Sequence, residues 1–189
     1  MRKELISELK RAFTYLKDRT RIILLCLVLL VIGTMFYNIF KAAFFIVLLT
    51  AVAGVSKVYH RFFKSSVGVD FVLFSTIIVA IAYKNIMFTM ITGWTSLIVA
   101  DTLGSRFSHT SIISLIGLSA VAVISPLLSP LPIIYWAVLL TLIFQVIAAA
   151  LYSIMGSGLD RLAVFLVTHA LFNYFLIFSF AEEIILFIR

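Results

Sequence analysis

The stretch LPIIYWAVLLTLIFQVIAAALYSIM, residues 131 to 155, decides the class of fold. It runs for 25 residues without a charged side chain. A helix needs about 20 apolar residues to cross the hydrocarbon core of a bilayer. We therefore expect this stretch to form a transmembrane helix.

The composition of the whole chain agrees with that expectation. Of its 189 residues, 63% are hydrophobic and 12% are charged, whereas soluble domains average about 25% charged residues. The mean hydropathy is +1.21. A soluble fold of this size could not bury so much apolar surface. The lone Cys26 excludes an intramolecular disulfide and a multi-cysteine metal cluster.

Six further apolar segments flank this stretch, and together they predict an all-α, polytopic, multi-pass integral membrane protein. The first two are short for a span and could form a re-entrant hairpin or one long bent helix. Six or seven transmembrane helices are thus both consistent with the sequence. The six segments lie at about 21–37, 42–57, 68–84, 86–103, 110–128 and 162–188.

The basic residues predict the orientation in the membrane. Seven spans with a cytoplasmic N-terminus would place 12 of the 15 basic residues inside and leave Lys41, Lys84 and Arg189 outside. That bias follows the positive-inside rule. We expect a protein of the cytoplasmic (plasma) membrane, in contact with the lipid bilayer. The net charge of +7 is therefore explained by the orientation in the membrane, and no nucleic-acid partner is expected.

The basic N-terminal stretch MRKELISELKRAFTYLK has apolar residues at helical spacing. This pattern is typical of an amphipathic helix that lies in the membrane interface or docks on a partner. We divide the chain into this interfacial helix, residues 1–20, and one transmembrane domain, residues 21–189.

Asp101 ends the apolar segment 86–103, where the helix dipole disfavours a carboxylate. A partner for Asp101 is therefore expected, such as Arg106, His109 or a polar group on a neighbouring helix. Asp70 and Asp160 have a simpler explanation as N-caps of the helices that follow them.

An alternative interpretation makes the same polar residues an enzyme site. Asp70, Asp101 and Asp160 would hold Mg²⁺, a cation that prefers oxygen ligands. The phosphate of a lipid headgroup would then be bound by Arg106, His109 and Arg161.

A ligand cavity among the helices is the other candidate site. Trp94 and Thr95 lie in the segment 86–103, whose interior is more polar than that of the other apolar segments. They precede Asp101 by seven and six residues, and Tyr135 lies in the segment 131–155. His169 and Asn173 are one helical turn apart and can hydrogen-bond to each other. The tentative ligand-binding residues are Trp94, Thr95, Asp101, Tyr135, His169 and Asn173.

The stretch from Val69 to Leu118, VDFVLFSTIIVAIAYKNIMFTMITGWTSLIVADTLGSRFSHTSIISLIGL, resembles two related families. These are the MreD rod-shape proteins and the substrate-binding (S) components of energy-coupling-factor transporters. Asp70, Gly93, Asp101 and Gly104 occupy the matching places. In the last segment, HALFNYFLIFSF also resembles the end of MreD, with Asn173 at its asparagine.

The resemblance implies a small helical membrane module without catalytic activity of its own. The function expected from it is small-molecule binding and transport as a substrate-binding subunit, or a membrane scaffold. Other membrane protein subunits are the expected partners, and no cofactor is expected. Two alternatives stay open, namely the Mg²⁺-dependent lipid-headgroup enzyme and an accessory subunit of a larger membrane complex.

Overall fold

In a computed structural model of the chain, the regular secondary structure of the described residues is helical. The structure describes residues 2–62, 68–105, 107–156 and 158–189, and within them the side chains of 2–23, 35, 38, 109, 159 and 161 are outside the description. No strand is present in these ranges, and the predicted all-α class is confirmed.

Seven α-helices follow one another in the described ranges. A short 3₁₀ turn follows α1 (Val58–Arg61), a second follows α4 (Ser125–Leu128), and a π-helical turn (Ile177–Ala181) joins α6 to α7. The α-helices are α1 (Arg2–Val55), α2 (Val72–Tyr83), α3 (Ile86–Leu103), α4 (His109–Ile124), α5 (Ile133–Ile154), α6 (Leu159–Leu176) and α7 (Glu182–Ile188).

The chain divides into two compact units, Met1–Ala43 and Phe44–Arg189. The first unit is helical, and its apolar side chains from Leu24 onward are mostly exposed, as lipid-facing side chains would be. The second unit contains the end of α1 and all later helices. Residues 2–20 are helical, but the amphipathic pattern proposed for them rests on side chains outside the description.

The helix α2 is the centre of the second unit. Every residue from Val72 to Ile81 is buried, and α2 packs against α3, α4, α5, α6 and α7. A helix covered on all sides is apolar all round. The Thr76 hydroxyl inside it donates to its own helix, to the Val72 carbonyl oxygen at 2.7 Å.

Five helical segments in the described ranges are long and apolar enough to cross a membrane. They match the predicted segments closely at their ends, apart from the first. At 12 residues, α2 is only about 18 Å long, but protein surrounds it, so its length need not match the bilayer. The five are Leu24–Arg61, Ile86–Leu103, Thr110–Leu128, Ile133–Ile154 and Leu162–Ile188.

The first two apolar segments, 21–37 and 42–57, form one unbroken helix. No turn separates them, because α1 continues from Arg2 to Val55. The chain thus follows the alternative with six apolar segments. The earlier assignment of loops to the two sides of the membrane assumed seven spans, so it changes by one span.

Local sequence explains where the later helices begin. The two residues between α2 and α3 are Lys84, which takes the left-handed conformation (φ 50°), and Asn85, whose side chain accepts from the Phe88 N–H. Ser108 begins α4 with a capping box that it forms with Ser111. Asp160 was expected to cap α6, but Gly158 is the N-cap and Asp160 lies in the first turn.

Candidate functional site

One end of the bundle holds a cavity of about 560 Å³. The C-terminal ends of α1, α3 and α5 and the N-terminal ends of α2, α4 and α6 meet there, because consecutive helices run in opposite directions. The cavity is therefore lined by residues that are far apart in the sequence.

Lys57 is the central charged group of this cavity. Its Nζ lies 3.0 Å from Asp101 Oδ1 and 3.5 Å from Asp70 Oδ2. The Lys57 side chain is 13% exposed, and each carboxylate side chain is 7% exposed. One ammonium group thus partly neutralises two buried carboxylates. Lys57 is therefore the partner that was expected for Asp101.

Each carboxylate has a second partner that fixes its position. Ser111, in the first turn of α4, donates its hydroxyl hydrogen to Asp101 Oδ2. Asp70 accepts from the N–H of Val72 at 3.0 Å, at the first residue of α2. The N-cap of α2 is Phe71, so the prediction of Asp70 as the N-cap is wrong, but the Asp70 side chain still binds the N–H of the first helical residue and also faces Lys57.

His169 extends the cluster toward the interior of the bundle. Its Nε2 lies 3.9 Å from Asp70 Oδ1, and its Nδ1 lies 2.8 Å from Gln145 Nε2. This hydrogen bond joins α5 to α6, and the Nε2 edge of the ring faces Asp70.

The depth of the cluster follows from helix geometry. His169 comes ten positions after Leu159, the first residue of α6, which is about 15 Å at 1.5 Å per residue. Asp101 comes only two positions before the end of α3. The charged and polar groups therefore extend from the end of the bundle to roughly half the thickness of a hydrocarbon core.

Aromatic rings form one wall of the cavity. Ring centroids are 5.7 Å apart between Tyr152 and Phe165, 5.3 Å between Phe165 and His169, and 5.3 Å between His169 and Phe144. All four residues line the cavity and come from α5 and α6. Serine and threonine hydroxyl groups from α4 and the loop before it also line the cavity, together with apolar side chains.

The structure brings some of the residues proposed from sequence into the cavity and leaves others out. Asp70, Asp101 and His169 line it. Asn173 lies one turn beyond His169, fully buried, and its Nδ2 donates to the His169 carbonyl oxygen at 2.9 Å. Asp160 is exposed and is not part of the lining.

Asn173 is not part of the lining, and neither are three other tentative ligand-binding residues. Trp94 is 44% exposed, and its Nε1 donates to the Ser119 hydroxyl oxygen of α4 at 3.1 Å. Thr95 donates to its own helix, to the Ile91 carbonyl oxygen, and Tyr135 is 66% exposed. The seven-residue spacing places Trp94 and Asp101 on one face of α3, and both side chains contact α4. Trp94 lies about two helical turns farther from the cavity end of α3 than Asp101 does.

The proposed phosphate-binding residues cannot be placed. Arg106 and the side chains of His109 and Arg161 lie outside the described residues. Among the residues that are described, no group of three or more His, Cys, Asp or Glu side chains could hold a metal ion.

Sequence reasoning missed Lys57, Ser111 and Gln145. Lys57 was assigned to topology, as one basic residue among those of the predicted cytoplasmic side. The signal that could have found it is the unmet need of Asp101 for a cation. The sequence does not show whether Lys57, Arg61 or Arg106 meets that need, because Lys57 and Asp101 are 44 positions apart.

Gly68 allows the loop before α2 to lie directly on α6. Its N–H donates to the Thr168 hydroxyl oxygen at 2.9 Å. A Cβ at this position would lie 2.7 Å from His169 Cβ and 2.9 Å from the Phe165 carbonyl oxygen. Only a residue without a side chain fits between the loop and the helix here.

We expect Gly68→Ala to destabilise the protein by about 1–3 kcal/mol, because the added methyl group overpacks this contact. The measurement is the unfolding midpoint in detergent solution. Gly33→Ala is the matched control, since a Cβ there meets nothing within 4 Å and alanine is favoured in a helix by up to about 1 kcal/mol. Equal midpoints for the two variants would contradict the packing argument.

The fold and the cavity define the chain as a multi-pass α-helical membrane protein with a buried ion-pair cluster. No family model matches the chain, and neither does any curated protein or solved structure. The function must therefore be argued from the site.

Proposed function

We propose that the chain is a membrane-embedded binding subunit that takes up a small hydrophilic molecule in the cavity and acts in transport with partner subunits. The observation that carries the proposal is the Lys57–Asp70–Asp101 cluster in a cavity of about 560 Å³. A cavity of this volume is within the range of small-molecule sites.

The energetic cost of the cluster supports a role in binding. Taking a charged side chain out of water costs several kcal/mol unless it is well paired. Lys57, Asp70 and Asp101 lie at helix ends, and each of these side chains is at most 13% exposed. A scaffold that only holds other proteins needs no charged interior, so the cluster is better explained by the molecule that it binds.

The same geometry is less suited to the alternative of a Mg²⁺-dependent lipid-headgroup enzyme. A divalent ion shared by Asp70 and Asp101 would lie between their carboxylates. Lys57 Nζ holds that position, within 3.5 Å of both. Lys57 thus supplies the positive charge that the metal would otherwise supply.

The proposed function sets the orientation that we propose. Capture of an external molecule requires the cavity to open to the outside of the plasma membrane. The cavity end of the bundle is then outside, and the end that contains Ser125–Leu128 is in the cytoplasm.

Cysteine labelling tests the orientation. In a Cys26→Ser background, Phe107→Cys at the cavity end should react with a membrane-impermeant maleimide in intact cells. Leu127→Cys, at the opposite end of the bundle, should react only after permeabilisation. Both side chains are well exposed, at 61% and 77%. The reverse pattern would overturn the proposed orientation.

Purification from the native membrane in mild detergent tests the binding function. We expect the denatured wild-type protein to release a small molecule that mass spectrometry detects. Ser114→Phe should release none, because it fills the cavity and removes no charge. Partner proteins without a small molecule would indicate a scaffold, and turnover of a lipid that requires Mg²⁺ would indicate the enzyme.

A further inference from the structure

We propose that the molecule bound in the cavity is a small organic cation, with an ammonium group beside Asp70 and Asp101 and an apolar or aromatic part against the ring wall. The inference rests on the proposed function and names its substrate class. It is carried by the charge of the lining, by the arrangement of the rings, and by the place of the carboxylates in the cavity.

The described lining has more negative than positive charge. Apart from the histidines, it contains two carboxylates, Asp70 and Asp101, and one ammonium, Lys57. His60 and His169 are counted as neutral, the form that an unperturbed imidazole mostly takes at pH 7. Among these described groups one negative charge is uncompensated, which is costly in an apolar surrounding, and a cationic ligand would compensate it.

The carboxylates retain capacity for a further donor. Asp101 uses Oδ1 for Lys57 and Oδ2 for Ser111, and Asp70 uses Oδ1 for the Val72 N–H. An ionised carboxylate has about four lone-pair sites. An ammonium group in the cavity can therefore bond to a free lone pair of either carboxylate while Lys57 stays between them.

The aromatic wall provides the second half of the site. Tyr152, Phe165, His169 and Phe144 form a continuous series of ring contacts beside Asp70. Aromatic faces attract cations, and more strongly where water is excluded. Rings next to carboxylates suit a molecule that combines an ammonium group with an apolar body, and they do not suit an anion.

Three matched probes test the charge preference. Benzylamine, benzyl alcohol and benzoate have similar size and shape but are cationic, neutral and anionic at neutral pH. They are added separately to the full chain in detergent micelles at pH 7, and binding is measured by thermal shift and by calorimetry. We expect benzylamine to stabilise the protein and to bind at least about tenfold more tightly than the other two probes.

Variants locate the binding in the cavity. Asp101→Asn should weaken benzylamine binding about tenfold or more, since it removes a charge-assisted partner but keeps the shape of the side chain. Asp160→Asn is the matched control, because Asp160 is an exposed acid outside the lining, and it should bind like wild type. Ser114→Phe retains both acids and should abolish binding.

The outcomes separate this inference from the proposed function. Tighter binding of benzoate, or equal binding of all three probes, would overturn the cationic class, whereas a small molecule released from the native protein would still support a binding subunit. Unchanged benzylamine affinity in Asp101→Asn would also overturn the inference. If the native protein carries no small molecule, the proposed function fails by its own test.

Discussion

Lys57→Met is expected to lower the free energy of unfolding by about 3–5 kcal/mol. Methionine keeps much of the length of the side chain, but the variant leaves Asp70 and Asp101 buried beside each other without the ammonium that lies 3.5 Å and 3.0 Å from them. Removing one member of a buried ion pair costs about this much, because the charge that stays behind is uncompensated.

The measurement is the stability of the purified protein against denaturant in detergent micelles at neutral pH. Arg61→Gln is the matched control. Arg61 lies at the same end of the bundle but is exposed, and its Nε donates to the Ser105 hydroxyl oxygen at 3.3 Å. Exposed charged contacts contribute about 1 kcal/mol or less. A Lys57→Met loss no larger than the Arg61→Gln loss would refute the central role of Lys57.

The triple variant Lys57→Met, Asp70→Asn, Asp101→Asn is expected to regain most of the stability that Lys57→Met loses. All three charges are then absent, so no buried carboxylate is uncompensated. Replacement of a whole buried ion cluster by uncharged groups is often neutral, or even stabilising by about 1–4 kcal/mol. The two introduced asparagines can still accept from the Val72 N–H and the Ser111 hydroxyl, because an asparagine side chain keeps one acceptor oxygen.

The triple variant should be compared with Lys57→Met and with Asp70→Asn, Asp101→Asn in the same detergent. Lys57→Met leaves two buried carboxylates without an ammonium, and the double variant leaves a buried ammonium without a carboxylate, whereas the triple variant has no charge in the cluster. If the triple variant is no more stable than Lys57→Met, then Lys57 acts through packing of its aliphatic stem. In our proposal the triple variant folds but no longer binds benzylamine, which separates stability from function.

Much of the fold is readable from the sequence, since crossing a bilayer requires a length of apolar residues that local composition reveals. The predicted segment 86–103 coincides with α3, Ile86–Leu103, and the last predicted segment coincides with the span Leu162–Ile188. The first two segments, 21–37 and 42–57, are the exception, because the sequence left a hairpin and one long helix both open. Short apolar segments do not distinguish a turn from a continuous helix, and α1 is continuous.

The candidate site was only partly predictable. The dipole argument required a partner for Asp101, and the structure provides Lys57 and Ser111. His169 was singled out, but its partner on a second helix, Gln145, was not. Trp94 and Tyr135 were proposed for their chemistry, and both turn out to be exposed. Helical spacing gives the face of a helix on which a residue lies, but not the neighbour or cavity at that depth.

The sequence by itself determined that this is a multi-pass helical membrane protein and that Asp101 needs a counter-charge. Both follow from local physics, namely the hydrophobic length of each segment and the direction of one helix dipole. Only the tertiary structure decided that the counter-charge is Lys57, that Lys57 also faces Asp70, and that a ring wall from α5 and α6 adjoins them. These contacts join residues from different helices, such as Lys57 and Asp101, which are 44 positions apart, and they exist because antiparallel packing brings six helix ends to one place.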